Sequence, residues 1–455
     1  MDKIVSLCKR RGIILPGSEI YGGLANTWDY GPYGVEIKNN IKNFWWNEFV
    51  QKREDMVGLD SAILMNPKVW EASGHVTSFS DPLMDCKSCK ERIRGDKLIE
   101  ENISVEAAAG KSNDEILEII EKEQLKCPNC GKCDFTKPRA FNLMFKTYQG
   151  VVEGESTEVF LRPETAQGIF VNFKNVVQTT RKKIPFGIGQ IGKAFRNEIT
   201  PGNFTYRTRE FEQMEIEYFI EEKDATKYFD MWKELSWNWF KDLGMDEKSL
   251  RIREHTDKEL SHYSSMTVDI EYKFPFGWGE LEGIAYRGCY DLSQHIDHSK
   301  EDLQYFDQER NIRYIPHVIE PSMGVERTML CFLLNSYKEE EVKGEKRVVL
   351  SLSPKLAPVK AAILPLSKKE PLNLKSFELY KNIQKHYNAE YDETGSIGKR
   401  YRRQDEIGTP YCITYDFDTE EDKKVTIRDR DTMDQERIPL ENVIEYLKDK
   451  LGSNC

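Results

Sequence analysis

In "FRNEITPGNFTYRTREFEQMEIEYF", Phe195 to Phe219, polar and apolar residues alternate on either side of a turn. Arg196 and Glu198 alternate with Phe195 and Ile199; further on, Gln213, Glu215 and Glu217 share one face and Met214, Ile216 and Tyr218 the other. A period of two predicts strands with one buried face. Pro201-Gly202-Asn203 supplies turn chemistry between the runs, so an antiparallel hairpin is expected. Its charged face is either solvated or the floor of a pocket for a charged ligand. Elsewhere Val35, Ile37, Ile41, Trp45 and Phe49 recur at helical spacing and predict a helix from about Val35 to Lys52. "ILMNP" reads as a strand ending at Pro67, and "NDEILEIIEKEQ" as an amphipathic helix. Residues 141–340 alternate strands, glycine turns and helices, and "NSYKEEEVKGEKR" reads as a charged hinge. Beyond it "KAAILPL", "AEYDE", "YCITYDF" and "KKVTIRDR" predict strands, and "SFELYKNIQKHY" and "LENVIEYLKDKL" helices, of an α/β unit.

The length, 455 residues, allows two or three domains. No run approaches the roughly 20 apolar residues of a membrane span. "MDKIVSLCKRRG" lacks the apolar core of a secretory signal, so a cytoplasmic protein with no membrane partner is expected. A net charge of -11 gives no general attraction to nucleic acid, and any such contact must use local basic patches.

"GIGQIGKA", Gly187 to Ala194, matches G-x-G-x-x-G and nearly matches a phosphate-binding loop. Both readings require a helix to follow, whereas these glycines lead toward the strand-like "AFRNEI". Ala194 also stands where a magnesium-binding hydroxyl would be needed. Ten cysteines in a chain of this kind argue for reduced thiols or metal. Cys86, Cys89, Cys127 and Cys130 form C-x2-C…C-x2-C and suit a closed, structural zinc site, with Cys133 as a fifth candidate. Cys8, Cys289, Cys331, Cys412 and Cys455 are isolated. His295 and His298 in "QHIDH" suit hydrogen bonding better than metal binding. "KRYRRQDEIG", Lys399 to Gly408, is the densest basic cluster; it is either a solvated helix face or a contact for RNA phosphates and bases.

Together these pieces resemble a class II aminoacyl-tRNA synthetase, and most closely the homodimeric glycyl-tRNA synthetase family. The helix after "YGPYG" with the strand closing at Pro67 resembles motif 1, the dimer-forming element. "KAFRNEI" with "RTREFEQMEIEYF" resembles motif 2, and "EPSMGVERTMLCFL" motif 3. "LRPETAQGIF", "GELEGIAYRGCYDL" and Pro-Ser-x-Gly are more specific to the glycine family.

The resemblance implies an α/β (α+β) fold. An antiparallel-sheet catalytic domain at 1–85 and 141–340 would carry the cysteine-bearing insertion 86–140. A linker at 341–354 would lead to a mixed-sheet anticodon-binding domain at 355–455. It implies glycine activation by ATP with magnesium, followed by transfer to tRNA(Gly).

By the same resemblance Arg196 would hold the α-phosphate and the glycine carboxylate, Glu198 would read the adenine amino group, and Phe211 would stack on adenine. Arg327 would grip the γ-phosphate, and Glu280 would associate with magnesium. Arg196, Glu198 and Arg327 form the catalytic set. Asn197, Tyr206, Arg207, Thr208, Arg209, Glu210, Leu281, Gly324, Val325 and Glu326 complete the ATP-binding set, and Arg287 is a further triphosphate candidate. Glycine would meet Glu164, Glu215 and Glu320, with Phe211, Glu212, Gln213, Met214, Pro321, Ser322, Met323 and Gly324 around it. Arg94 in "RIRGDK" would close over it. Lys399, Arg400, Arg402 and Arg403 would meet tRNA phosphates.

Two other functions compete. A nucleic-acid-binding relative on the same fold, such as a polymerase accessory subunit, would have no reason to keep Arg196, Glu198, Phe211 and Arg327 together. An adenylating enzyme for another amino acid would be separated by an adenylate assay across amino acids.

Overall fold

The sheet at the centre of the chain is built around the alternating segment. The computed structural model describes residues 1–150, 157–256, 259–260, 264–342 and 344–452; Cys455 lies outside them. Helix α1 (Pro32–Trp46) and strand β1 (Met56–Gly58) are followed, after the insertion, by helix α2 (Ala166–Thr180) and strands β2 (Phe186–Phe195) and β3 (Glu210–Ile220). Next come helix α3 (Ala225–Asp242), strands β4 (Leu250–Glu254), β5 (Met266–Phe274) and β6 (Gly277–Gly288), helix α4 (Tyr290–Ser299), strand β7 (His317–Gly324) and helix α5 (Val325–Ser336). Seven strands pair in the order β4-β5-β6-β7-β3-β2-β1, antiparallel except for β1 beside β2. Helices α1, α3 and α5 cover one face and bury Ile41, Trp45, Trp232 and Leu330 against Met214, Ile216 and Tyr218 of β3. Each such side chain contributes roughly 1.5–3 kcal/mol of burial. The apolar stripe of the first helix holds at Ile37, Ile41 and Trp45, and Phe49 continues it into a π-turn over Asn47–Gln51. Val35 falls off the stripe and is 41% exposed.

The glycines of "GIGQIG" lie inside β2, and no helix follows them. Their purpose is close packing. A Cβ on Gly192 would sit 2.2 Å from the Arg162 guanidinium, and one on Gly187 would sit 2.4 Å from Met56 Sδ. The strand ends at Phe195, so Arg196 to Glu198 leave the ladder. The Arg196 amide bonds to the Arg209 carbonyl and the Asn197 amide to the Leu143 carbonyl.

Two further expectations are corrected. "ILMNP" does not close as a strand at Pro67. Asn66 accepts the Lys68 amide and Pro67 opens a short helix, Pro67–Ala72. Asparagine followed by proline is a helix-start signal, and the strand that follows α1 is β1. The supposed hinge is a β-hairpin, Tyr337–Val342 with Glu345–Leu350. Its Arg347 is fully buried, with Nε 2.9 Å from the Asp405 carboxylate, and that pair pins the hairpin.

The insertion has a small sheet of Ser80–Asp85, Arg92–Arg94 and Arg139–Asn142, and its own apolar cluster of Met84, Ile99, Ile116, Ile120 and Phe135. Its helix Asn113–Lys122 starts in a capping box formed by Ser112 and Glu115. The C-terminal part comprises strand β8 (Ala361–Pro365), helix α6 (Leu372–Ile383), strand β9 (Ala389–Tyr391), helix α7 (Ile397–Ile407), strands β10 (Tyr411–Tyr415), β11 (Lys424–Asp429) and β12 (Gln435–Pro439), and helix α8 (Val443–Leu451). The order is β9-β8-β10-β11-β12, parallel on either side of β8 and antiparallel beyond, over a core of Ile363, Leu379, Ile413, Ile427 and Leu447. The mixed sheet matches the sequence reading; α7 was foreseen only as the helix-face alternative for the basic cluster, and β12 was not foreseen. Among the described residues no helix is long and apolar enough to cross a membrane.

Candidate active site

Strands β3 and β7 come from segments about a hundred residues apart, yet Gln213 pairs with Gly324 and Glu215 with Ser322. Alternation then aims Phe211, Gln213, Glu215, Glu320 and Ser322 into one cavity of about 940 Å³ on the sheet face opposite α1. Glu164, Arg196, Glu198, Tyr206, Arg207, Thr208, Glu280, Leu281, Met323, Gly324, Glu326 and Arg327 also line it.

One end is cationic and aromatic. The Arg196 guanidinium lies 5.4 Å from the Phe211 ring centre, and its Nε donates to the Pro163 carbonyl at 3.0 Å. Arg327 stands at the start of α5, 4.3 Å over the Tyr206 ring, and pairs with Glu280 at 3.1 Å. Burial raises the Glu280 carboxyl, but Arg327 outweighs it and leaves it below its ordinary value. Glu198 meets Arg207 at 3.4 Å. Planar guanidinium forks beside an open aromatic face suit a triphosphate and a base.

The other end is acidic and buried. Carboxylate oxygens of Glu215, Glu217 and Glu320 all lie within 4.8 Å of one another. Two ionised carboxylates at that distance repel by roughly 3 kcal/mol at an effective dielectric near 20. The cations nearby are few. Arg287, only 3% exposed, holds Asp291 with two bonds of 2.8 Å and reaches Glu320 with its other arm. His75 lies 3.4 Å from Glu164. Burial would raise Glu164, but His75 and then Arg287 hold it well below the carboxylate range. Burial pushes Glu320 to about 8 against the pull of Arg287, and burial and Glu164 raise Glu215. A pocket of this charge attracts a small cation such as an ammonium.

Several expected residues lie elsewhere. Glu212 and Met214 fall on the other face of β3. Glu212 pairs with Lys38 and Lys42 of α1, and Met214 packs in the core. Period-two alternation alone excludes both from a pocket floored by Gln213 and Glu215. Val325 is fully buried in the core, and neither Pro321 nor Asn197 reaches the cavity wall. Glu326 reaches it, but its carboxylate is occupied by Lys38 and the Glu212 amide. Arg209 braces the loop through the Ala25 and Glu198 carbonyls, and Glu210 pairs with Lys193. Arg287 is no triphosphate ligand in this fold; it lies beneath the acids. Arg94 is held by Asp81 at 2.7 Å and by the rim residue Asp96, and does not itself line the cavity.

Other residues were not foreseen. Thr165 donates to Glu215, and Arg253, with Asp269, Glu271 and His255, forms a second wall. Asp96, Lys97 and Glu100 of the insertion reach the rim. Only the alternating hydrophobicity of β5 could have pointed to the second wall.

In the insertion the Sγ atoms of Cys86 and Cys130, and of Cys89 and Cys127, lie 3.6 Å apart, and all four lie within 4.8 Å of one another. Tetrahedral zinc–thiolate bonds of about 2.3 Å require sulfur pairs about 3.8 Å apart, so the donor set fits such an ion. Cys133 stands outside the set, its Sγ 4.0 Å from the Ile120 carbonyl. His295 is buried against Gln167 and His298 caps its own helix at the Gln294 carbonyl, as hydrogen bonding predicts.

On α7, Arg400 is 3% exposed and donates to the Pro365 and Asp392 carbonyls. Arg403 pairs with Asp392 and Arg402 with Asp405. The basic cluster is therefore largely neutralised inside the fold, and Arg400 is no phosphate contact; Lys399 remains exposed.

An antiparallel sheet carrying a polar cavity, with an arginine at the start of the helix after β7, is the arrangement that the resemblance to class II aminoacyl-tRNA synthetases implies. The comparisons agree: residues 145–336 match the tRNA synthetase class II core domain (G, H, P, S and T), and residues 360–450 match an anticodon binding domain. Curated glycine--tRNA ligases of Caldanaerobacter subterraneus subsp. tengcongensis and Clostridium acetobutylicum are 61% and 60% identical, each over 99% of this chain and 98% of their own length. That of Bacillus cereus is 57% identical over 99% of both chains. The chain belongs to the glycine--tRNA ligase family.

Proposed function

We propose that the cavity is where this glycine–tRNA ligase joins glycine to AMP and then to the 3′ end of tRNA(Gly). The observation that carries this reading is the division of one cavity into a cationic, aromatic end and a buried acidic end. The first suits ATP and the second the ammonium of a small amino acid. No enzyme nucleophile is needed: the glycine carboxylate attacks the α-phosphate, pyrophosphate leaves, and a ribose hydroxyl of the tRNA end then takes the glycyl group. Catalysis rests on positioning and charge. Arg196 holds the α-phosphate and the carboxylate, Phe211 stacks the base, Glu198 reads its amino group, and Arg327 takes the far phosphates. Glu280 would hold magnesium, which neutralises phosphate charge. Glu164, Glu215, Glu320 and Ser322 receive the ammonium. Rejection of larger amino acids would rest on steric crowding at the glycine α-carbon.

A division into a catalytic part, an insertion widened from 86–140 to take in its whole sheet (80–142), and an anticodon-binding part (355–455) is supported by three separate apolar clusters. The four thiolates of the insertion hold a structural zinc ion, and elemental analysis should find about one per chain; metal-free protein prepared without chelator would refute it. A homodimer in the cytoplasm is the assembly and setting that fit the family's motif 1 helix and its tRNA substrate; sedimentation at monomer mass would refute the dimer. ATP–pyrophosphate exchange across a panel of amino acids tests the whole reading. Glycine alone should support exchange, and Glu215→Gln should raise the KM for glycine at least tenfold. Exchange with another amino acid, or an unchanged KM, would overturn it.

A further inference from the structure

Among the acids at this end of the cavity, Glu217 stands apart, just behind the wall that Glu215 and Glu320 line. Glu215 accepts from Thr165, from Ser322 at 2.9 Å and from Gln213 at 3.4 Å, and Glu320 accepts from Arg287. Glu217 is 0% exposed, and neither of its carboxylate oxygens has a hydrogen-bond partner among the described residues. It is nevertheless aimed into the cluster, with an oxygen within 4.8 Å of those of Glu215 and Glu320. The groups facing it are Glu215 of β3, Glu320 of β7, Arg287 of β6 and Asp291 of α4. Around them stand Glu164 with His75, and His295, which is bound to Gln167. The one guanidinium among the facing groups is shared between Asp291 and Glu320. A dry carboxylate with no donor and two acidic neighbours takes up a proton.

We propose that Glu217 is the proton store of the amino-acid pocket: it is a neutral acid without substrate and ionises, releasing its proton to solvent, when the ammonium of glycine enters. The proposal rests on the acidic end being the glycine site. The step balances simply. Glycine arrives as its zwitterion, the Glu217 O–H bond breaks, one proton leaves to water, and the new carboxylate is compensated by the arriving positive charge. Burial, reinforced by Glu320, holds Glu217 well above the carboxylate range and agrees with this assignment. Glu217 is then a positioning residue. It touches no reacting atom and matches the charge of the pocket to its cargo, so the acids beside it need not be ionised together before substrate is present.

The sign follows from mass action. Binding that releases a proton tightens as pH rises, by up to about tenfold per unit for one proton. The amino group of glycine keeps its proton throughout pH 6.0–8.0. The wild-type KM for glycine in ATP–pyrophosphate exchange, measured across about pH 6.0–8.0, should therefore fall severalfold or more as pH rises, while the KM for ATP changes little. Glycine titrated calorimetrically at one pH, in two buffers of different ionisation heat, should show net proton release. Glu217→Gln, which keeps the shape and cannot ionise, should lose both the slope and the buffer dependence. Wild-type protein that binds glycine with no proton release overturns the proposal, and this arm needs no variant. A folded Glu217→Gln protein that keeps the slope overturns it as well. Failure of the site reading would look different: no glycine-dependent exchange, or a Glu215→Gln variant with normal glycine affinity.

Discussion

Two charge clusters stand out in the sequence, the acids of β3 and β7 and the bases of α7, and the fold treats them in opposite ways. Glu215 and Glu320 line one cavity beside Gln213, and Glu217 lies just behind its wall with a carboxylate oxygen within 4.8 Å of theirs; Arg287 is the one guanidinium among the groups that face Glu217. Arg400, Arg402 and Arg403 each find a carboxylate or carbonyl of their own unit. Asp405, with no exposed surface, gathers Arg347, Arg402 and Arg428 around itself. Buried acids with too few cations mark a site that waits for a ligand, whereas ion-paired charge marks a structural joint. Local charge density in a sequence does not distinguish the two, because the compensating groups come from distant segments.

Breaking the joint should have the largest effect. Asp405→Ala leaves the buried Arg428 guanidinium without its carboxylate and Arg347 with only Glu340 and the Arg430 carbonyl, and removing one member of such a network costs about 3–5 kcal/mol. The unfolding midpoint in urea should drop accordingly. An unchanged midpoint would mean that the network contributes nothing, and the contrast with the pocket would fail.

The cationic end of the cavity gives the next effect. Arg327→Ala removes a guanidinium of the cavity wall that stacks on Tyr206 and bonds to the Tyr206 and Glu280 carbonyls and the Glu280 carboxylate. Loss of a transition-state charge interaction costs on the order of 3 kcal/mol, about a hundredfold in rate. ATP–pyrophosphate exchange should fall by that factor at unchanged melting temperature. A large loss of stability with it would make Arg327 a joint as well.

Much of this contrast was legible in the sequence, but unevenly. The alternation of Gln213, Glu215 and Glu217 against Met214, Ile216 and Tyr218 gave both the strand and its polar face, since period two is a local property. The spacing of Cys86, Cys89, Cys127 and Cys130 likewise brought four thiols together as expected. The same alternation would have excluded Glu212 and Met214 from the glycine set, had it been applied residue by residue. Arg287 was misplaced because its partners, Asp291 and Glu320, lie on different elements. The hinge-like charges at 337–350 concealed a hairpin whose anchor, Arg347, meets its partner 58 residues on. Pairings of that kind depend on tertiary register, which no local pattern encodes.

The smallest expected effect is also the sharpest division, because it separates neighbours on one helix. Lys399 is exposed and Arg402 is about a third exposed, whereas Arg400 between them is buried. If α7 meets tRNA at all, Lys399 carries the contact and Arg402 adds to it only by leaving Asp405. Removing one cation from a phosphate flattens the slope of log affinity against log salt by about 0.7–0.9. Lys399→Ala should therefore raise the KM for tRNA a fewfold at low salt, with the difference fading at roughly 0.2 M. Glycine-dependent exchange, which needs no tRNA, should not change. Arg400→Ala should do the reverse. It leaves the Pro365 and Asp392 carbonyls without their donor and lowers the unfolding midpoint, but the salt slope should stay where it was. A Lys399→Ala protein with an unaltered slope would make the whole of α7 a structural helix, and the tRNA interface would have to be sought on another face of the C-terminal sheet.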